Sequence, residues 1–292
     1  MKIRYNIAGL KVDFYDYAGV QMINAFEPFE VESDDTPPDH SIYLYPYDRD
    51  ELPVPPEEEM ELVFDDTINT LYASGDNLIK RTGMREGDPR VMWTIMNKVD
   101  YARADVYIPS DFLDYGGYAN AFMFEKMLLA HDAVMLHCSL IETNGKGVAF
   151  TAPSQTGKST QARLWETHRG ARIINGDRAI MRLVNEGIYA YGSPWAGSSG
   201  IFVNEGIRLN AIVALEQAKD NKVRKLTNTE ALNFFLIGTS LPMWDEALLD
   251  KGLAVIERIL TETNLLMLSC TPDERAVRAL EDSLKDALPH AD

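Results

Sequence analysis

The run Val148-Ala-Phe-Thr151, continued by Ala152-Pro-Ser-Gln-Thr-Gly157-Lys158-Ser159-Thr160, constrains the fold of this chain more than any other segment. An apolar strand feeds a short polar loop, and the helix-compatible stretch Thr160-Gln-Ala-Arg-Leu-Trp165 leaves it. This is the strand–loop–helix setting of the phosphate-binding pattern G-x-x-x-x-G-K-[ST]. The match holds at Gly157, Lys158 and Ser159, with Ala152 in place of the first glycine. Alanine is tolerated there if the residue keeps an extended backbone as the strand ends.

The chemistry assigns the loop its roles. Backbone N–H groups of Ser154, Gln155, Thr156, Gly157, Lys158, Ser159 and Thr160 would point at phosphate oxygens, helped by the positive end of the helix that follows. Gly157 keeps a Cβ out of the way, Lys158 reaches the outer phosphates, and the Ser159 hydroxyl is offered to Mg²⁺. A metal also asks for an acid. Asp177 follows the apolar run Arg172-Ile-Ile-Asn175 through Gly176, on the element after the loop's helix. It reads as a metal ligand or base, or as a turn aspartate. His137 interrupts the apolar strand Val134-Met-Leu-His-Cys-Ser-Leu-Ile141. On its own it reads as a core histidine or as a group approaching the phosphates from the neighbouring strand.

Composition sets the outer limits. The 292 residues are 46% hydrophobic and 25% charged, as in a globular protein with room for one large domain or two ordinary ones. A net charge of −17 argues against a nucleic-acid partner. Residues 1–60 alone hold 14 acids against 4 bases, a surface that is solubilising or that steers a basic partner. The longest apolar runs are far below the roughly 20 residues of a membrane span, and the first residues lack the apolar core of a signal peptide. Cys138 and Cys270 form no disulfide framework or metal spacing. The expectation is a cytoplasmic protein with no membrane contact.

Residues 1–115 read as a β-rich domain, with alternating segments at Ile7–Phe14, Ser41–Tyr45, Glu61–Phe64, Thr70–Ala73, Val91–Ile95 and Ala104–Ile108. The character changes near Tyr115-Gly-Gly117, and residues 116–292 read as a mixed α/β domain. A helix at Ala119–Ala130 leads into strand Val134–Glu142, and Asn144-Gly145 makes a hairpin turn into Gly147–Ala152. After the loop come a helix at Ser159–Glu166 and strands at Ala171–Asn175, Ala179–Val184, Ile188–Tyr191 and Ala211–Leu215. Helices at Thr229–Leu236 and Trp244–Thr261 precede a strand at Leu265–Ser269 and a last helix at Pro272–Leu284. Hairpins among these rule out a purely alternating α/β arrangement.

In order along the chain, Leu136-His137, the hairpin Ile141–Val148, the phosphate loop, Arg169-Gly-Ala-Arg172 and Gly176-Asp177-Arg178 resemble the catalytic domain of HPr kinase/phosphorylase and its smaller relatives. Ser193-Pro-Trp-Ala-Gly197, Ala211–Gln217 and Leu268–Asp273 extend the likeness from Leu136 to the last helix; that fold is related to the nucleotide domain of phosphoenolpyruvate carboxykinase. The resemblance implies an ATP- and Mg²⁺-dependent kinase with Lys158, His137 and Asp177 at the reacting phosphate and a possible homo-oligomer. The acceptor it implies is a serine hydroxyl on a small protein, a peptide or a small molecule. Two positions depart from the family: Gly176 stands where the first of two consecutive aspartates is expected, and Thr160 where a glutamate follows the loop serine. A nucleotide-binding module without transfer chemistry is the other reading of the same residues.

Overall fold

The computed structural model describes residues 1–20, 24–48, 51–65, 68–83, 90–99, 101–112 and 121–286. The chain divides into two compact units, Met1–Ala130 and His131–Asp292. The expected change of character at Tyr115-Gly-Gly117, with the start of the expected helix at Ala119, lies outside the described residues. No described helix is long and apolar enough to cross a membrane.

Among the described residues the first unit holds one mixed sheet of nine strands: β1 (Lys2–Ile7), β2 (Leu10–Asp16), β3 (Glu30–Val31), β4 (His40–Tyr47), β5 (Glu61–Asp65), β6 (Asn69–Ser74), β7 (Asn77–Gly83), β8 (Val91–Asn97) and β9 (Arg103–Pro109). Their order is β3-β1-β2-β4-β9-β8-β7-β6-β5, with β2, β4 and β9 parallel. The single strand expected at Ile7–Phe14 is instead a hairpin of β1 and β2. Ala8 and Gly9 take φ of 54° and 77° at its turn. Alanine rarely adopts that region, so this turn carries little sequence signal. On one face, Phe14 packs edge-on against Tyr5, Phe26 and Phe122 in the core. On the other, tyrosines stack across the parallel strands, Tyr15 on Tyr43 at 4.5 Å and Tyr17 on Tyr45 at 5.3 Å. Beside them Arg4 is buried with Asp13, to which its Nε and Nη2 donate at 2.6 and 2.9 Å. Helix α1 (Phe124–Ala130) ends the unit, shorter than the sequence suggests.

The second unit is built on β10 (Ala133–Thr143), β11 (Lys146–Thr151), β12 (Arg172–Asn175), β13 (Arg178–Val184), β14 (Gly187–Tyr191), β15 (Gly206–Gln217), β16 (Lys222–Lys225) and β17 (Asn264–Cys270). Two strands run longer than a single pairing requires. The first half of β10 pairs with β13 and its second half with β11 and β12. Likewise β15 pairs with β14 at its start, then runs parallel between β11 and β17. The pairings β11–β10–β13–β14–β15–β11 therefore close on themselves. At the Asn144-Gly145 turn both residues take positive φ, 51° and 72°, as a two-residue hairpin requires. Strand β16, Lys-Val-Arg-Lys, escapes the sequence reading because it is short, charged and on the sheet edge.

Helices α2 (Lys158–Arg169) and α5 (Glu274–Asp286) cover the parallel strands. Trp165 and Ala162 of α2 and Val277, Leu280 and Leu284 of α5 meet Phe150, Val213 and Leu268 in one buried cluster. Fully burying side chains of this size stabilises the fold by about 1.5–3 kcal/mol each. Arg169 ties the two helices together through Glu281 at 2.9 Å. Helix α3 (Asn228–Gly238) is opened by a Thr227–Glu230 capping box and lies against α4 (Glu246–Glu262). This mixed α/β architecture fixes the strand ends from which the site is assembled.

Candidate functional site

The loop between β11 and α2 spans Ala152 to Gly157. Ala152 is 7% exposed and is not among the positive-φ residues, so alanine meets no backbone strain at that position. Gln155 and Gly157 do take positive φ, 64° and 120°. A Cβ placed on Gly157 would meet nothing within 4 Å. Its glycine is therefore dictated by backbone angle within the chain itself, an addition to the steric reason read from the motif. Gly157 also caps α2 with no side-chain hydrogen bond, which leaves the first N–H groups of the helix to a ligand.

Lys158 is 8% exposed and folds back over the loop, where Nζ donates to the carbonyls of Ala152 at 3.1 Å and Pro153 at 3.4 Å. Burial lowers its pKa from the ordinary lysine value, and the nearby Asp177 carboxylate opposes that shift. Ser154, Gln155, Ser159 and Thr160 are exposed, and Thr156 is half-buried.

His137 sits where β10 passes from β13 to β11, opposite Arg178 in one pairing and one residue before the Cys138–Thr151 pair in the other. Its carbonyl accepts from Thr151 Oγ1 at 3.2 Å, and Cys138 N donates to the Asp177 carbonyl at 2.8 Å. These bonds bring the end of β11, the middle of β10 and the β12–β13 turn to one point. There His137 Nε2 lies 3.2 Å from Asp177 Oδ1. Arg178 Nε stands 3.6 Å from Asp177 Oδ2, with its side chain half exposed. Burial is the largest cause lowering the His137 pKa, Lys158 and Arg178 add to it, and Asp177 works against them. On balance these effects favour the neutral imidazole.

The structure thus brings together His137, Lys158 and Asp177, which lie 21 and 19 positions apart in sequence order. It also supplies residues that the motifs did not single out. Asn175 is fully buried and acts as a clamp: Oδ1 accepts from Asp177 N at 2.9 Å and Arg178 N at 2.7 Å, and Nδ2 donates to the Ser193 carbonyl at 3.0 Å. Ser139 Oγ donates to the Gly176 carbonyl at 3.0 Å. A fully buried asparagine ending an apolar strand just before Gly-Asp is the local signal for such a clamp.

The Ser193–Gly200 loop packs on the acid. A Cβ on Gly197 would come within 2.7 Å of Asp177 Cγ. A Cβ on Gly176 would fall 1.9 Å from Ser199 Oγ. Gly176 therefore has no room for any side chain while Ser199 holds its place. Ser199 is itself fixed, its Oγ donating to the Ala196 carbonyl at 2.6 Å and accepting from Ile201 N at 3.2 Å.

No protein-family profile matches the chain, and no curated protein does. Among solved structures, the HPr(Ser) kinase/phosphatase from Coxiella burnetii is similar over 52% of this chain and 93% of its own, at 12% identity and a TM-score of 0.30. That is a distant structural relationship and nothing finer.

Proposed function

We propose that this protein is an ATP-dependent phosphotransferase that moves the γ-phosphoryl group to a hydroxyl, with serine on a small protein, a peptide or a small molecule as the acceptor. The observation that carries the reading is the His137–Asp177 pair, 3.2 Å apart and within electrostatic reach of Lys158 at the end of a phosphate-type loop. On nucleotide binding, Lys158 leaves the Ala152 and Pro153 carbonyls and pairs with the β and γ phosphates. The acceptor proton passes to the His137–Asp177 pair as the acceptor oxygen bonds to phosphorus, and the bond from phosphorus to the ADP oxygen breaks. Arg178 faces the developing charge from the far side of Asp177.

Ser159 and Asp177 are hard oxygen donors of the kind that hold Mg²⁺, which would neutralise charge across the β and γ oxygens. No described cluster of three or more His, Cys, Asp or Glu forms a protein cage for a metal. A magnesium ion held by one carboxylate, a hydroxyl and substrate phosphates needs none.

Transfer from labelled ATP tests the reading. Asp177→Asn should retain nucleotide affinity and lose transfer by about 100-fold or more, the scale of a lost proton acceptor. Lys158→Ala should lose nucleotide affinity. Full transfer by the first variant, or full affinity in the second, overturns the proposal. The blocked space at Gly176 favours a second reading, a nucleotide-binding module without transfer. Tight ATP binding with no consumption in the presence of serine-bearing acceptors would establish it.

A further inference from the structure

Strand β11 begins at the Asn144-Gly145 turn and ends in the Ala152–Gly157 loop, so its two ends face opposite poles of the second unit. At the pole of the turn lies a pocket of about 80 Å³, walled by that hairpin, by α2, by the first half of β15 and by the last turns of α5. The volume is about half the roughly 150 Å³ of a cavity that holds benzene, which suits a ligand of about three to five non-hydrogen atoms. Val148, Trp165 and Leu284, all buried, give the pocket apolar walls.

Two further observations define its chemistry. Trp165 is 2% exposed, and its Nε1–H has no acceptor among the described residues. An indole N–H can only donate, and a buried donor left unpaired carries a desolvation cost that an acceptor on a ligand would relieve. The charges around the pocket favour an anion. Glu281, the acid on its wall, already accepts from Arg169 Nε at 2.9 Å. Of the two lysines there, Lys285 is exposed and lies 3.4 Å from Asp282, whereas Lys146 is half-buried with no ion pair among the described residues. An unfilled donor and an unpaired ammonium beside apolar walls match a carboxylate with a short hydrocarbon tail. A cation or a bare hydrocarbon would satisfy neither group.

We propose that this pocket binds a small aliphatic monocarboxylate, one oxygen accepting from Trp165 Nε1–H and the charge facing Lys146. The inference stands apart from the phosphate-binding reading, since no residue of the Ala152–Gly157 loop and none of His137, Lys158 or Asp177 lines the pocket. The bound ligand touches both α2 and α5, the helices that Arg169 already ties together, and stabilises the folded second unit by mass action.

The test is a nuclear magnetic resonance titration of the full chain, its indole nitrogens isotopically labelled. The probes are sodium propionate, its neutral isostere propionamide, and inorganic phosphate, all at matched ionic strength. The chain has four tryptophans. The Trp165 resonance is assigned by its loss in Trp165→Phe, or by elimination with single substitutions of Trp93, Trp195 and Trp244. Propionate should move this resonance saturably at millimolar concentrations, leave the other three in place and raise the unfolding temperature. Lys146→Met should weaken propionate binding about ten-fold, the scale of a lost charge-assisted hydrogen bond, with the indole resonances reporting that the variant is folded. An equal effect of propionamide would overturn the anion assignment, and an equal effect of phosphate would overturn the carboxylate class. Absence of saturable movement at Trp165, or full affinity in Lys146→Met, would overturn the proposal as a whole.

Discussion

Ser199 Oγ lies 1.9 Å from where a Cβ on Gly176 would stand, so one residue of the Ser193–Gly200 loop determines what its neighbour in the β12–β13 turn can be. The contact couples the turn that carries Asp177 to the loop that packs on Asp177. It also gives a physical reason for the glycine at position 176. A side chain at 176 and a hydroxymethyl at 199 compete for one volume.

Gly176→Ala should therefore destabilise the protein by about 1–3 kcal/mol, the usual cost of overpacking. Gly176→Asp should not add a working acid, since its side chain must first displace Ser199. The double variant Gly176→Ala with Ser199→Gly should recover most of the lost stability. Urea denaturation of the four proteins reads the coupling as a double-mutant cycle, and strict additivity would refute it.

Asn175→Ala should cost about 1–3 kcal/mol by leaving buried backbone groups unpaired. It should also lower the rate of phosphoryl transfer with little change in ATP affinity, because the clamp holds Asp177 and not the phosphate loop. Equal losses in rate and affinity would mean that the clamp supports the whole site. Steady-state kinetics beside equilibrium nucleotide titration separate the two.

Acid should suppress the proposed phosphoryl transfer through His137. Its folded pKa lies below the ordinary 6.5, so the native protein releases this proton at lower pH than the unfolded chain does. Between 6.5 and the folded value the unfolded state binds more protons, and stability falls as pH falls through that window. The rate of transfer should show an acid limb centred on the folded value, where the imidazole loses its accepting form. His137→Gln should lack that limb, and a rate profile unchanged by the substitution would remove His137 from the proton path.

In the first unit, Arg4→Met should be costly, about 3 kcal/mol, because it removes two hydrogen bonds from the buried Asp13 carboxylate and leaves Lys2 to balance its charge. Burial alone would raise the Asp13 pKa, but the bonds from Arg4 and Lys2 outweigh it and hold it below 3.8. The pair's contribution is present above that value and is lost as pH falls through the lower folded pKa. Replacing both partners, Arg4→Met with Asp13→Leu, should restore much of the stability. Thermal unfolding across pH 2–7 checks both statements, the lower limits being roughly the range of carboxylate titration.

Local signals explain what was legible in the sequence. Asn144-Gly145 announces its hairpin because both residues tolerate positive φ, while Ala8-Gly9 makes a similar turn with a residue that does not, and two strands there read as one. The strand–loop–helix around Gly157 is visible because each step is contiguous. His137 reads from sequence as a core histidine or as a group near the phosphates, and its approach to Asp177 depends on β10 serving two pairings at once. Asn175 and Ser199 were not read at all. The Asn175 clamp reaches backbone groups only two and three residues ahead, whereas the Ser199–Gly176 contact joins segments distant in the chain that no motif spacing encodes.

The closed circuit of pairings through β10, β13, β14, β15 and β11 has a mechanical consequence. An open sheet relaxes by sliding one strand past its neighbour, but a ring of ladders cannot slip at one seam without breaking another. His137, the Cys138 N–H that holds the Asp177 carbonyl, and the strand that feeds the Ala152–Gly157 loop all belong to this ring. Movement on ligand binding is thereby channelled into the segments that hang from it, Ala152–Gly157 and Ser193–Gly200, and the frame between them serves as a fixed ruler.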